Sequence, residues 1–368
     1  MTSNGAVSAD KLEQLLKLCG NRGVPEAKAQ KVVDQLDQSL NGRLDPSTKK
    51  RYLVSLMKIC KAYCFVPTSH LILDADLQKL SDAPFKSEKQ SNVWPGAYKG
   101  QETVSIKVLS RYTTDDEEGI KRRLCREAVI WKRMSHPNIL PLIGITLSKE
   151  LAVISPWMEN ENVLAYLKEN HKANPVKLLE ESVTGLQYLH GIGLVHGGLQ
   201  GRHILVTDDG HACLANVGHA SINRERGDSV FLSQMSMACD VGDGRYSPPE
   251  YFTDEYASMH STKQGDIYSM GMTIYEVLTD KKPFPEYNST SVVMPIIRGT
   301  RPSKPAFAIS RGYTEGLWDL TIACWRQDPA ERPTITNILG SLGNAALQWK
   351  SKIYTTAAID DMDDQASA

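Results

Sequence analysis

The segment of residues 196–220, HGGLQGRHILVTDDGHACLANVGHA, constrains the fold more than any other stretch of the chain. Residues 204–206 form a short apolar run that favours a buried strand. Asp208-Asp209-Gly210 follows and predicts a tight turn, because glycine readily adopts the positive φ that hairpin turns need. Residues 211–215 then predict the return strand. The segment is therefore expected to form a β-hairpin between two polar loops.

The rest of the sequence has the composition of an ordinary globular protein. Its 368 residues are 41% hydrophobic and carry a net charge of −1, which favours neither nucleic acid nor a membrane surface as a partner. No apolar run approaches ~18 residues, and the first residues lack the basic start and apolar core of a secretory signal. Seven scattered cysteines, with Cys60 and Cys64 predicted as core-facing thiols on one helix, favour a reducing, cytoplasmic compartment.

Three amphipathic helices are predicted in the N-terminal segment, residues 1–66. The first begins at a capping box of Asp10 and Glu13, the second has Pro25 at its first position, and the third begins at Asp45-Pro46. Their apolar stripes predict a small helical bundle. The segment contains no catalytic constellation, so it is either a packed accessory domain or a docking module for a partner helix.

The pattern becomes β-like from Leu71, through LILDADLQKL, VWPGAYKG and TVSIKVLS. A helix is predicted over residues 117–134, and two further strands follow it. The remaining chain is mainly helical, with helices predicted at 263–279, at 314–325 and after Arg332. The end of the chain, 343–368, is expected to hold the end of the last helix and a disordered tail. The tail, IDDMDDQASA, is acidic and poor in core-forming residues, so it is either a solvated end or a site for a basic partner.

A series of motifs in this region resembles the protein kinase superfamily, and most of all its tyrosine-kinase-like branch. In chain order they are VSIK ending at Lys107, Glu127 in CREAVIWKRM, HPNILPLIG, YLHGIGLVHG, SPPE, GDIYSMG and CWRQDPAERP. The resemblance covers residues 72–342 and implies an α+β, bilobal protein kinase-like fold preceded by the helical bundle. It implies a small, mainly β lobe at 72–154, a hinge at 155–160 and a large, mainly α lobe at 161–342.

The positions that carry chemistry in this family are replaced. The degenerate positions are Gly198 at the catalytic base, Gln200 at the lysine two residues later, and His203 and Asn216 at the two metal ligands. Glycine cannot accept a proton, and the loss of a general base typically lowers the rate by ~10²–10⁴. Mg²⁺ prefers charged oxygen ligands, so an imidazole and a neutral amide are poor replacements. No intact catalytic residue and no metal site are therefore expected.

The nucleotide-binding positions are partly retained. Lys86, Glu88 and Ser91 occupy the three glycine positions of the phosphate loop, where side chains block the approach of backbone amides to phosphates. Lys107 and Glu127 remain, either as a residual nucleotide site or as a structural ion pair. By resemblance, Ser155 is the gatekeeper, and the hinge residues that would contact a nucleotide are Pro156, Trp157 and Met158. No cofactor is expected, although weak, metal-independent binding of ATP stays open.

Positions that support the fold are retained. By resemblance, Glu250 and Arg332 form a buried ion pair, and Asp266 holds the backbone of the catalytic loop. His196, Val217 and Trp131 would fill an internal apolar column. Gly197 replaces the arginine that receives an activating phosphate, so phosphorylation of the 219–246 loop would lack its usual receptor.

The leading hypothesis is a pseudokinase that acts as a protein-binding scaffold or allosteric partner in intracellular signalling. Its partners would be other proteins, and an active kinase of the same branch is one candidate. The alternatives are a protein kinase with residual ATP-dependent Ser/Thr or Tyr phosphotransfer, or a nucleotide sensor without turnover. Lys107 favours these alternatives, whereas Gly198 and Asn216 oppose them.

Overall fold

The computed structural model describes residues 23–87, 91–109, 117–217, 221–222, 243–253, 261–304 and 312–349. The predictions for the helix from Asp10, for Glu88, for most of the 219–246 loop and for the acidic tail lie outside these residues. The chain divides into two compact units and passes between them three times, after Ser135, after Leu140 and after Trp157. The first unit holds the described residues up to Ser135 together with Pro141–Trp157, and the second holds His136–Leu140 and the rest.

The first unit contains three described α-helices, which are α1 (Glu26–Leu40), α2 (Pro46–Tyr63) and α3 (Glu117–Trp131). Asp45 caps α2 as predicted, because its carboxylate accepts the backbone N–H of Thr48. Pro25 is not the first helical residue but the residue before it, with φ −55° and ψ 141°. Helix α3 ends three residues earlier than predicted, and residues 132–134 continue as hydrogen-bonded turns.

The apolar stripes of α1 and α2 are buried inside the first unit. Helix α1 packs on α2, and α2 packs on α3. The buried side chains of the two N-terminal helices include Val32, Val33, Leu36, Leu40, Leu56, Met57 and Ile59. Cys60 and Cys64 are buried free thiols, as predicted, and burial raises the pKa of Cys60 well above its usual value. The N-terminal helices therefore form part of the core that also contains α3.

The first unit also contains a six-stranded sheet. Its strands are β1 (Leu77–Lys79), β2 (Lys86–Ser87), β3 (Ser91–Tyr98), β4 (Glu102–Leu109), β5 (Gly144–Thr146) and β6 (Ala152–Pro156), in the order β1-β3-β4-β6-β5, with β2 also on β3. One face packs around Ile72, Val104, Ile106, Ala152 and Ile154, so the predicted alternation along β4 is confirmed.

The stretch LILDADLQKL, expected to be β-like, is interrupted. Leu71 forms an isolated bridge with Ile145 of β5, Asp74–Asp76 form a 3₁₀ turn, and Leu77–Lys79 form the regular strand β1. The carboxylate of Asp74 accepts the hydroxyl of Ser148 at 2.7 Å.

The second unit is mainly helical. Its helices are α4 (Val163–Glu169), α5 (Pro175–Gly191), α6 (Lys263–Thr279), α7 (Val293–Ile297), α8 (Glu315–Cys324) and α9 (335–349). Its short strands are β7 (Leu194–Val195), β8 (Ile204–Val206), β9 (Ala212–Leu214) and β10 (Ser221–Ile222). The predicted helices at 263–279, at 314–325 and after Arg332 are thus confirmed to within a few residues. Residues 265–278 of α6 are all buried, which makes α6 the central helix of this unit.

The first unit contains the six-stranded sheet, and the second unit is mainly helical. This arrangement bears out the predicted α+β, protein kinase-like fold, and the predicted helical segment precedes the sheet in the chain. Among the helices of the described residues, none combines the length and apolarity required to cross a membrane.

Candidate functional site

The hairpin predicted from the sequence holds the candidate catalytic loop in the second unit. Strands β8 and β9 are antiparallel, with Leu205 opposite Cys213, and Gly210 has φ +83° in the turn between them. The hairpin places residues 196–203 before β8 and residues 215–217 after β9. The backbone N–H of Ala215 donates to the carbonyl of His203 at 2.8 Å and ties the two loops together.

Asp266, on the central helix α6, anchors the start of the candidate catalytic loop. Its two carboxylate oxygens accept the backbone N–H groups of His196 and Gly197, both at 2.8 Å. The ring of His190 also contacts this carboxylate, at 2.8 Å. The predicted role of Asp266 is therefore confirmed. Gly197 has φ +74°, a left-handed conformation that glycine adopts at little cost, so this replacement of arginine suits the local backbone.

His196 is fully buried and acts as a structural bridge within the loop. Its Nε2 lies 3.1 Å from the carbonyl oxygen of Ala215, and its Nδ1 lies 3.2 Å from the backbone N of Gly198. A carbonyl can only accept and a backbone N–H can only donate, so the imidazole is neutral with its proton on Nε2. Val217 is buried in the same unit. The apolar column predicted for these two residues and Trp131 stays a prediction.

Glu276 provides a second anchor that the sequence interpretation missed. Its Oε2 accepts the backbone N–H of Gly201 at 2.8 Å, and the hydroxyl of Tyr246 hydrogen-bonds the same carboxylate. Burial raises the pKa of Glu276, and these hydrogen bonds partly oppose that effect. The available signal was a second acid in α6, within the largely apolar part that follows Asp266, because a buried carboxylate needs partners.

The four positions that the kinase resemblance marks as degenerate lie on the two loops that flank the hairpin. Gly198 faces open space, because a side-chain carbon added there would meet no atom within 4 Å. Nδ1 of His203 lies 2.6 Å from the carbonyl oxygen of Gly198, so this nitrogen carries a proton and donates. Gln200 is buried, and Asn216 has φ +62°, a left-handed conformation that asparagine tolerates. The loop is thus an ordered backbone without a carboxylate at its centre.

Lys86 and Lys107, at two positions that the kinase resemblance assigns to the nucleotide site, lie in the first unit. Lys107 is half-buried on β4, opposite Val93 of β3 and Val153 of β6. Lys86 pairs with the same Val93 from the other side, so the two lysines share one face of the sheet. This face is opposite to the one packed around Ile106.

Glu127 and the predicted hinge residues also occupy defined positions. Glu127 is half-buried on α3. Ser155 and Pro156 still belong to β6, and Ser155 pairs with Ser105 on the face that carries Lys107. The ring of Trp157 meets Phe85 edge-on, with centroids 5.1 Å apart. Met158 begins the second unit.

The ion pair predicted between Glu250 and Arg332 is confirmed in the second unit. The two guanidinium nitrogens Nη1 and Nη2 donate to the two carboxylate oxygens of Glu250, both at 2.7 Å. The side chain of Arg332 is 0% exposed, and its remaining N–H groups donate to the carbonyls of Arg326, Gln264 and Gln327. This bidentate pair links the segment after the 219–246 loop to the last part of the unit.

Comparison with known proteins agrees with this geometry. The family described as protein tyrosine and serine/threonine kinase matches residues 85–342. The chain therefore belongs to this family. It is 26% identical over 261 residues to tyrosine-protein kinase TXK of Homo sapiens, an alignment that covers 69% of this chain and 46% of that protein.

Two other relatives come from distant organisms. Serine/threonine-protein kinase 12 of Arabidopsis thaliana is 28% identical over 246 residues, covering 65% of this chain and 51% of that protein. Tyrosine-protein kinase SRK3 of Spongilla lacustris is 26% identical over 254 residues, covering 67% of this chain and 70% of that protein. The chain thus spans about half the length of the first two relatives.

Proposed function

We propose that this protein is a pseudokinase that acts as a protein-binding scaffold or allosteric partner in intracellular signalling. The observation that carries the proposal is the contrast within one loop. Asp266 and Glu276 hold the backbone of the loop at three N–H groups, whereas position 198 has no side chain at all. A loop kept in shape without its chemical groups is suited to recognition rather than to catalysis.

Several independent losses oppose phosphoryl transfer. This reaction depends on positioning and on charge stabilisation, which need a base, metal ions and a cation near the transferred group. Gly198 offers no base, and Nδ1 of His203 is engaged with a backbone carbonyl. Asn216 keeps an oxygen but lacks the charge that Mg²⁺ prefers. Because each loss removes a different contribution, one compensating contact would not restore the rate.

A nucleotide sensor without turnover is the second candidate. Lys86 and Lys107 share one face of the sheet in the first unit, which favours a polyphosphate. Neither cation needs a metal ion to attract phosphate oxygens. We therefore expect that any nucleotide binding is weak and independent of divalent metal.

The proposed partners are other proteins, and an active kinase of the tyrosine-kinase-like branch is the first candidate. The proposed compartment is the cytoplasm. The five described cysteines are buried free thiols, which suits a reducing environment.

The test measures the rate of an active tyrosine-kinase-like kinase with and without added full-length protein. We expect a saturable change in that rate, together with binding between the two purified proteins. The variant Lys107→Met should change the rate of the active kinase as the parent does, because the effect does not depend on phosphoryl transfer by this protein. The proposal fails if neither binding nor a rate change occurs with any kinase of the branch, or if the change disappears in Lys107→Met.

A further inference from the structure

The first unit contains a buried polar cluster that the kinase resemblance does not explain. Asp37 lies on α1 among apolar side chains and is only 6% exposed. Its Oδ1 accepts Nη2 of Arg133 at 2.5 Å and contacts Nε2 of His70 at 3.1 Å. Its Oδ2 accepts the hydroxyl of Ser69 at 2.7 Å. One carboxylate thus joins three segments that are far apart in the sequence.

Such a cluster persists only when all of its charges are paired. Burial alone would raise the pKa of Asp37, but the Ser69 hydroxyl and the neighbouring His70 and Arg133 outweigh it, so the pKa lies below its usual value. Burial lowers the pKa of Arg133, and Asp37 opposes this effect. Removing one partner would strand the other charge inside the unit.

Arg133 connects this cluster to the end of α3. It follows the last turn of α3, and its Nη1 donates to the carbonyl of Val129 at 2.7 Å. The adjacent Lys132 donates to the carbonyls of Leu142 and Ile143 at 3.3 and 2.7 Å. The C-terminal end of α3 is therefore held on one side by α1 and on the other by the segment that leads into β5.

One face of α3 is covered by α2, the second of the two described N-terminal helices. Leu124, Cys125 and Ala128 of α3 are buried, and α2 packs along this helix. The packing of α1 on α2 and of α2 on α3 buries apolar side chains of both N-terminal helices, among them Val33, Leu36 and Leu56.

We propose that α1 and α2 act as a built-in partner for α3, and that Asp37 clamps Arg133 to fix the position of the helix that carries Glu127. Helix α3 then keeps one position relative to α1 and α2 and does not shift between positions. Asp37 is a positioning residue in this proposal. The inference goes beyond the proposed function and holds whether or not the protein binds nucleotide.

Hydrogen exchange of the full chain, followed by mass spectrometry, tests the clamp. The reporters are the amides of residues 132–134, which donate to carbonyls of the last turn of α3. In Asp37→Asn and in Arg133→Gln, we expect these amides and those of the C-terminal half of α3 to exchange at least ~10-fold faster. The double variant should add little to either single change, because both remove the same contact.

Asp34→Asn is the matched control. Asp34 also lies on α1, and its carboxylate accepts the backbone N–H and the hydroxyl of Thr68 at 2.7 and 3.0 Å. This variant weakens the contact of α1 with the segment before β1 but leaves the clamp in place, so exchange of α3 should stay near that of the parent. Amides of α6 in the second unit report any global loss of stability.

The proposal is overturned if α3 exchanges at the parental rate in Asp37→Asn. It is also overturned if Asp34→Asn has the same effect as Asp37→Asn, or if α6 loses protection in parallel with α3. Ser69→Ala removes a single hydrogen bond to Asp37 and gives a milder variant should the stronger ones fail to fold. It should increase exchange of α3 more than Asp34→Asn does, and a smaller effect contradicts the clamp.

Discussion

Substitution of Arg332 by methionine should destabilise the second unit strongly. The variant Arg332→Met keeps much of the apolar volume but leaves the carboxylate of Glu250, whose side chain is 11% exposed, without its bidentate partner. It also removes the donors of three backbone carbonyls. Breaking a buried pair by removing one partner typically costs ~3–5 kcal/mol.

The expected shift in melting temperature follows from the size of the unit. For a domain of 150–250 residues, 1 kcal/mol changes the melting temperature by about 2–4 °C, so ~3–5 kcal/mol corresponds to roughly 6–20 °C. Calorimetry of the full chain gives this value, and hydrogen exchange of α8 assigns the transition to the second unit.

The exposed pair Lys304–Glu315 provides the control for charge removal. Its side chains are 51% and 78% exposed, and an exposed pair contributes less than about 1 kcal/mol. Lys304→Met should therefore melt within a few degrees of the parent. The reasoning is refuted if Arg332→Met has the same melting temperature as Lys304→Met, because the buried pair would then contribute no more to stability than an exposed pair.

Three further predictions follow from other parts of the structure. Thermal melting with millimolar ATP should show no stabilisation that depends on Mg²⁺ or Mn²⁺. A specific ligand at 100 times its dissociation constant would add ~2.7 kcal/mol to the free energy of unfolding. A clear metal-dependent rise in melting temperature would contradict the prediction. Burial, together with the nearby Arg133 and Lys132, lowers the pKa of His70 to about 4, against the opposing effect of Asp37. The unfolded chain, with an ordinary histidine pKa, therefore binds a proton that the folded chain excludes, so stability should fall by roughly 2 kcal/mol from pH 7 to pH 5. His70→Gln should remove this slope in urea titrations, and an unchanged slope argues against it. Gly198→Asp should unfold with a free energy within about 0.5 kcal/mol of the parent, because the added side chain meets open space. This single substitution should not create phosphoryl-transfer activity. Turnover in the variant would show that the residues at positions 200, 203 and 216 are compatible with catalysis.

The features that the sequence predicted well are set by local patterns or by motifs. The hairpin at 204–214 follows from an apolar run and a turn with glycine, and both signals act over a few residues. The roles of Asp266 and of the Glu250–Arg332 pair were predictable because each residue lies in a motif of the kinase resemblance. In these cases a short stretch of sequence carries the information.

The features that were missed depend on contacts between distant segments. Asp37 and Arg133 are 96 residues apart, and no spacing rule connects them. Helix α3 ends early where Lys132 and Arg133 bind groups outside the helix, which a helical periodicity cannot reveal. Glu276 left a detectable signal, namely an acid in the largely apolar part of α6 that follows Asp266, but the partner Gly201 is not evident from the sequence.

The most direct test of the central claim is a phosphoryl-transfer assay with radiolabelled ATP. The purified full-length protein is incubated with Mg²⁺ or Mn²⁺ and with generic protein and peptide substrates, and incorporation into the substrates and into the protein itself is measured. We predict no incorporation above that of Lys107→Met, because positions 198, 200, 203 and 216 all lack the required groups. Incorporation that is present in the parent and absent in Lys107→Met would contradict the account and identify the protein as an active kinase.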